Sequence, residues 1–342
     1  MANRPQRLVF AYRPEGFRQI GGLQRIAREL VTHLQSSRSK LSLATFNSPS
    51  AKNSDGILSD TMACYRLQAN DHLLIVGCDS PWAYGLALRA RLMGLEVSWL
   101  PSFHDPASTI HQRKARVAQL ALQAIQTLGV VIYVQTNHEY TLLRHPHRPD
   151  HCRLSGHGMP AAIRQWLLRR NSGASMHDER DPNDAPQERP IDLLFLGRPT
   201  SQKGWNKFIE IAKITELRCE AIVPYKPETC HDITLHVQPS DAGVQILLHQ
   251  SKVVLIPANY ESFGIGQLEG LVAGCAVPIL GHWPLWDKCE ALRWQSLDPA
   301  QLAENCKQLC SNPSQSQQLR QQQLKYLCQH PVLKTPLLPG LP

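Results

Sequence analysis

Two glutamates, Glu261 and Glu269, stand with seven residues between them, around Phe263, Gly264, Ile265 and Gly266. The run before them, Val253 to Ile256, is β-branched and apolar, as expected of a buried strand, and Pro257 ends it. After the glycines, Leu268, Glu269, Leu271 and Val272 predict a helix that stops at Gly274, and Cys275 to Leu280 reads as the next strand. Such a unit puts a glycine-bearing loop at the carboxyl end of a strand, where open α/β sheets bind ligands. The first N–H groups and dipole of the helix suit a phosphate. Gly264 and Gly266 let the backbone approach it. Carboxylates repel phosphate, so Glu261 and Glu269 are expected to accept hydrogen bonds from sugar hydroxyls on either side. A pyrophosphate between two sugars, a nucleotide sugar, satisfies both.

A second cluster lies upstream. Asp192 to Leu196 reads as a strand, followed by Gly197-Arg198 and Lys203-Gly204, then a helix through Phe208, Ile209, Ile211 and Ala212. A forked guanidinium and an ammonium at a strand's carboxyl end suit a diphosphate. The spacing is not that of a P-loop.

The string Glu261-Ser262-Phe263-Gly264 with Glu269, and Gly274 and Val277-Pro278 after it, resembles the E-x7-E motif of family-4 retaining glycosyltransferases, which have the GT-B fold. Gly197-Arg198 with Lys203-Gly204 is similar to that family's diphosphate-binding segment. The resemblance implies two Rossmann-like doubly wound domains facing across a cleft. It implies a donor site made of Gly21, Gly22, Gly197, Arg198, Lys203, Glu261, Ser262, Phe263, Gly264, Ile265 and Glu269. Glu261 would hold the donor hexose and Glu269 the ribose, while Arg198 and Lys203 would stabilise the leaving diphosphate. His104, after a strand ending at Leu100, occupies the place of the family's acceptor-side histidine. Metal is not expected, since no Asp-x-Asp is present, and no cofactor is implied beyond the donor substrate, a UDP- or GDP-sugar. The loop Val223-Pro224-Tyr225-Lys226-Pro227 departs from the family's glycine loop and leaves base recognition open. A non-catalytic nucleotide-sugar-binding protein, or a GT-B enzyme of another family, is the alternative.

The elements that must position these residues alternate. Leu8–Tyr12, Leu41–Phe46, Leu73–Val76, Val97–Leu100 and Val130–Val134 read as strands. Leu23, Ile26, Ala27, Leu30, Val31 and Leu34 recur at helical spacing after the Gly21-Gly22 turn, and Trp82–Met93 and Ile110–Leu128 also read as helical. Strand–helix alternation predicts parallel doubly wound sheets. The second half continues with strands at Ala221–Val223 and Ile233–Val237, and helices at Ala242–Gln250, Pro299–Leu309 and Gln315–Leu327. The expected division is an acceptor-side domain over 1–160, a connector with a polar loop over 161–190, a nucleotide-sugar domain over 191–314, and a C-terminal helix with a Pro-rich, extended tail over 315–342. The histidines of His145-Pro-His-Arg-Pro-Asp-His151-Cys152 lack zinc spacing and read as a loop.

The net charge of +8 sits wholly in residues 1–160, which hold 18 Lys/Arg against 10 Asp/Glu; the remainder holds 18 of each. A basic half attracts an anionic membrane, a phosphorylated glycan or nucleic acid. No helix-turn-helix, zinc-finger or RNP pattern supports specific nucleic-acid binding. His111, Arg113, Lys114 and Arg116 at the start of an amphipathic helix suggest a membrane surface. No apolar run reaches the ~20 residues of a membrane span, and the N-terminus leads into a strand rather than a signal sequence. Ten scattered cysteines without a C-x-x-C pair read as reduced, buried thiols. The expectation is a cytoplasmic enzyme, peripheral at the inner face of the membrane, acting on a glycan or glycolipid acceptor in cell-envelope polysaccharide synthesis.

Overall fold

In a computed structural model of the chain, the described residues are 7–12, 26–27, 29–32, 34, 41–45, 67, 71–77, 81–101, 103, 105–107, 112–171, 188–230, 232–261, 263–286, 288–289, 292–339 and 341, with 7–12 and 41–45 described by backbone alone. They fall into two compact units, one ending at residue 158 and including the tail from 335, the other spanning 159–334.

The first unit is built on β1 (Arg7–Tyr12), β2 (Leu41–Thr45), β3 (Asp71–Val76), α1 (Pro81–Leu92), β4 (Glu96–Leu100), α2 (Gln112–Gln126), β5 (Val130–Val134), α3 (Asn137–Leu143) and β6 (Cys152–Leu154). Its six strands are all parallel, in the order β2-β1-β3-β4-β5-β6. Leu73, Ile75, Val97, Trp99, Val130 and Ile132 form a core with Ala83 and Leu86 of α1 and Leu122 and Ile125 of α2. The helical stretch from residue 26 buries Ile26, Ala27, Leu30, Val31 and Leu34, the stripe expected from spacing. Strand β6 forms within the segment expected to be a loop. Cys152 to Leu154 extend the sheet beside β5, with His151 held through Nδ1 against the Gln126 carbonyl (2.7 Å).

Helix α2 buries only part of its apolar surface. Ala115, Leu122, Ile125 and Gln126 are buried, whereas Val117 and Leu120 are 61% and 64% exposed. Gln126 faces inward because its side-chain amide donates to the Leu122 and Leu143 carbonyls and accepts from the His145 N–H, so a polar group serves as a structural clamp.

The second unit contains α4 (Ala161–Asn171), β7 (Ile191–Leu196), α5 (Trp205–Ile214), β8 (Cys219–Val223), β9 (Thr234–Val237), α6 (Asp241–His249), β10 (Ser251–Val254), α7 (Ile265–Val272), α8 (Pro299–Ser311) and α9 (Pro313–Gln329). Its four strands are parallel, in the order β10-β7-β8-β9. Residues 161–171, expected to belong to a connector, are the helix α4, and Ile163 and Leu167 join this unit's core. Residues 172–187 lie outside the described set. Cys275 to Leu280 is not a full strand: Ala276 pairs with Val253 and Ile279 with Arg293, each as a single bridge. Pro278 lacks the N–H a longer ladder would need.

The Gln-rich helix α9 lies at the surface, with most of residues 313–322 exposed, and buries one stripe. In α9, Arg320 and Gln323 are buried; Arg320 Nε donates to the Leu271 carbonyl (3.0 Å) and Gln323 Nε2 to that of Val277 (2.5 Å). The tail, expected to be extended, begins with a 3-10 turn, Pro331–Lys334. Beyond it, Pro336 accepts a bond from the Gly156 N–H, and Pro339 accepts bonds from the Tyr133 hydroxyl and Arg153 Nη1. The eight described cysteines are free; burial raises the Cys152 thiol pKa to about 12 and that of Cys275 to about 11, which suppresses the reactive thiolate.

Thr136 caps α3 by accepting from the Glu139 N–H, and Glu139 returns to accept from the Gln135 N–H (2.8 Å). Burial raises the Glu139 carboxyl to about pH 7, against an ordinary 4.5. The folded chain therefore holds a proton that the unfolded chain releases between about pH 4.5 and 7, so Glu139 costs stability increasingly across that window, by a few kcal/mol at most. Glu139→Gln keeps the cap acceptor and removes the titration. The melting temperature of the variant relative to wild type should rise from pH 5 to pH 8; a difference constant with pH would contradict a buried titrating carboxyl.

Candidate functional site

The chain crosses from β7 to β8 to β9 in one direction, then returns to lay β10 on the other side of β7. The loops leaving β7 and β10 therefore diverge to opposite faces and leave a crevice at the carboxyl edge. That reversal point is where open α/β sheets hold ligands.

After β7 come Gly197, the exposed Arg198, and a 3-10 turn, Ser201–Lys203. Gly204 follows with φ +74°, and a Cβ there would lie 2.1 Å from the Pro257 carbonyl oxygen. Only glycine permits the β7 loop to seat so closely on the β10 loop. Trp205 then opens α5 and packs edge-on against Phe195, 5.1 Å between ring centres, which anchors the turn to the strand.

The loop after β10 is held by the segment Gly281 to Trp283. The Glu261 N–H donates to the His282 carbonyl (3.0 Å), the His282 N–H to that of Asn259 (2.8 Å), and Trp283 Nε1 to that of Phe263 (3.0 Å). The Tyr260 ring stacks on His282. Phe263 is buried, so it supports the loop from below rather than facing a ligand. Gly264 has φ +71° and starts α7 with no side chain capping the helix. The amide groups of Ile265 and Gly266 thus open an uncapped, positive helix end at the crevice. Glu269 is half-buried on the second turn. Ala273, Gly274 (φ +94°) and Cys275 close α7 with a Schellman turn, the Cys275 N–H bonding to the Gly270 carbonyl (2.9 Å).

These two loops meet through charge. Lys203 Nζ donates to both oxygens of Glu261, at 2.6 and 2.8 Å, and the carboxylate is buried. A buried carboxylate requires such a partner. The pair ties the β7 loop to the β10 loop and holds the ammonium in place. Lys207 on α5, which sequence reasoning passed over, donates to Asn259 Oδ1 (2.7 Å), and burial lowers its pKa. Its signal was available: it lies one helical turn beyond Lys203. The next loop along the edge, after β8, carries Tyr225, half exposed.

Of the other expected site residues, Gly21, Gly22, His104 and Ser262 lie outside the described residues. Beside position 104, in the first unit, Asp105 is buried, accepts from the Ala107 N–H, and lies 2.8 Å from His138 Nε2. This carboxylate–imidazole pair, at the carboxyl end of β4, joins residues 33 positions apart and had no sequence signal.

No family model matches the chain, and no curated protein does. Among solved structures, it is similar to a sucrose-phosphate synthase from Thermosynechococcus elongatus, at 14% identity and TM-score 0.63 over 94% of each chain. A UDP-forming α,α-trehalose-phosphate synthase from Burkholderia xenovorans, in complex with glucose-6-phosphate, matches at 12% identity and TM-score 0.57 over 96% of this chain and 97% of its own. A UDP-GlcNAc 2-epimerase from Neisseria meningitidis, bound to UDP-GlcNAc, matches at 13% and 0.52 over 92% and 93%. The fold is GT-B. Because GT-B proteins include both transferases and an epimerase, the fold alone does not choose the reaction.

A Cβ on Gly264 would lie 2.3 Å from Trp283 Cζ2, in a left-handed backbone. Gly264→Ala should cost roughly 2–4 kcal/mol in chemical denaturation. Gly85→Ala, where a Cβ meets nothing within 4 Å on helix α1, should be stabilising by about 0.5–1 kcal/mol. Equal effects of the two would show that the packing of Gly264 on Trp283 is not as described.

Proposed function

We propose that the chain is a retaining glycosyltransferase that moves a hexose from a UDP- or GDP-sugar to a glycan or glycolipid acceptor. The observation that carries this reading is the convergence of Arg198, the Lys203–Glu261 pair and the open amino end of α7 on the β7/β10 reversal point. Charge develops on the departing diphosphate. Fixed donors aimed at that charge supply the largest kind of catalytic stabilisation. Arg198 offers a fork from the exposed side and Lys203 a point charge already desolvated by its carboxylate partner. The Ile265 and Gly266 amides complete the cradle. Such a set does this work without a metal ion. Glu269, one turn into the helix, takes the ribose hydroxyls. Glu261 holds Lys203 in place and presents its edge to the donor hexose. Tyr225 gives the nucleobase an aromatic face at the adjacent strand end. The leaving phosphate then assists the acceptor from the same face of the sugar, which retains configuration. His104 and the neighbouring Asp105–His138 pair supply the acceptor-side hydrogen bonds.

The acceptor side also docks on an anionic membrane. On α2, the exposed Val117 and Leu120 stand beside exposed Arg113, Lys114 and Arg116; on the adjacent α1, Leu88 and Leu92 are exposed with Arg89, and Met93 just after it is exposed too. The two helices are neighbours, since the Tyr84 hydroxyl bonds to the Ala118 carbonyl. Apolar side chains ringed by cations match an anionic lipid surface, where each basic residue contributes about 1 kcal/mol. No described helix is long and apolar enough to cross a membrane.

Thermal melting with a panel of UDP- and GDP-sugars should show stabilisation by one nucleotide class, lost in Glu269→Ala. Arg198→Ala and Lys203→Ala should each lower kcat by about 10²–10³-fold, and proton NMR of the product should show the donor's anomeric configuration kept. An inverted product, or an epimerised nucleotide sugar with no transfer, would overturn the assignment. Val117→Glu with Leu120→Glu should abolish sedimentation with vesicles containing phosphatidylglycerol and leave melting unchanged; unaltered sedimentation would remove the membrane surface.

A further inference from the structure

The two faces of the first unit's sheet differ: the one away from α1 and α2 mixes buried Leu74, Val76 and Leu100 with polar side chains. Leu73, Val97, Trp99, Val130 and Ile132 point to the side covered by α1 and α2. Strand alternation and register place His72, Glu96, Ser98, Val131, Tyr133 and Arg153 on the opposite side, as a row across β3 to β6. A parallel sheet covered on both faces is normally apolar on both. Here the polar row is linked. His72 Nε2 lies 2.8 Å from Ser98 Oγ and His72 Nδ1 3.2 Å from Glu96 Oε2, with His72 and Ser98 both buried. Tyr133 and Arg153 share the Pro339 carbonyl.

A cavity of about 510 Å³ opens at this row, at the amino ends of the strands, and cations surround it. Arg91, Arg148 and Arg153 line it with His72 and His151; among the described residues of the lining Glu96 is the one carboxylate. Arg91 is locked in position: Nε donates to the Leu128 carbonyl (2.7 Å) and Nη1 to that of Leu95 (2.6 Å). Gly129, at φ +87°, leaves room for this, since a Cβ there would lie 2.5 Å from Arg91 Nη2. Guanidinium groups stay charged at any working pH. Three of them line one concave space, where the described acids are Glu96 in the lining and the exposed Asp150 beside His151 (3.5 Å), so that positive charge exceeds negative as an anion site requires, and the volume falls in the range of small-molecule pockets.

We propose that this cavity is a second binding site, for a phosphate-bearing small molecule, with Arg148 and Arg153 holding the phosphate and the His72–Ser98 row meeting the polar remainder. It lies at the opposite end of its strands from the loops that bind ligands in such sheets, and it does not depend on the transferase reading.

The test uses the full chain carrying Arg198→Ala, which weakens the diphosphate cradle of the second unit, with inorganic pyrophosphate and inorganic phosphate as probes at constant ionic strength. Calorimetric titration should show saturable binding of at least one of them. Arg148→Glu reverses a charge on an exposed side chain and should weaken that binding at least tenfold. Glu96→Gln removes the opposing carboxylate and should tighten it several-fold. If both probes fail but glucose-6-phosphate binds with the same opposite responses, the ligand is a phosphorylated metabolite rather than free phosphate. Absence of binding by all three, or binding that neither Arg148→Glu nor Glu96→Gln alters, would overturn the proposal. Should one variant fail to fold, the sign of the other still decides.

Discussion

The ion pair between Lys203 and Glu261 is the contact through which the candidate site of the second unit holds together. It joins two loops that leave the sheet at β7 and β10, 58 residues apart in sequence. Neither charge would sit well alone, because the carboxylate is buried and a lone buried ion is strongly disfavoured. Together they join the β7 and β10 loops, next to the exposed Arg198 and the uncapped start of α7 in sequence. A pair of this kind does little for net stability, yet it fixes the positions of both side chains.

The pair can form only because the backbones come close. Gly204 lets the β7 loop lie against Pro257, and Gly264 lets α7 begin directly over Trp283. Gly270 brings α7 down onto Val254, where a Cβ would lie 2.6 Å from the valine methyl. Trp283 therefore acts as a platform: its ring underlies Gly264 and its N–H holds the Phe263 carbonyl. A rigid apolar base supports a polar, open edge, which is the division of labour an electrostatic site requires.

The first unit shows the opposite arrangement. There polar groups lie within the sheet face itself, in the His72, Ser98, Tyr133 and Arg153 row, and a buried acid, Glu139, closes a helix cap. These positions depart from the apolar pattern that parallel strands otherwise follow. Such local departures are expected where a chain gives up some stability for binding or for register.

Much of this was legible in the chain itself. Alternating β-branched runs and 3.6-residue stripes located nearly every strand and helix and the doubly wound class, because local burial leaves its period in the sequence. Glu261, Glu269, Arg198 and Lys203 could be grouped as one site since each lies just beyond a strand, and strand ends share an edge. The sequence could not show that Lys203 pairs with Glu261, that Asp105 meets His138, or that β10 lies beside β7, because each depends on strand order and not on spacing. Nor could it orient α2, whose apolar residues surround much of the helix; only packing against the sheet decided that Leu122 and Ile125 turn inward while Val117 and Leu120 face out. In the largely exposed, polar α9, composition gave no sign that Arg320 and Gln323 would be buried; tertiary structure supplies the carbonyls that receive them. Periodic burial is written locally, whereas the partners of buried polar groups come from distant segments, so the sequence determined the elements and the tertiary structure decided the contacts.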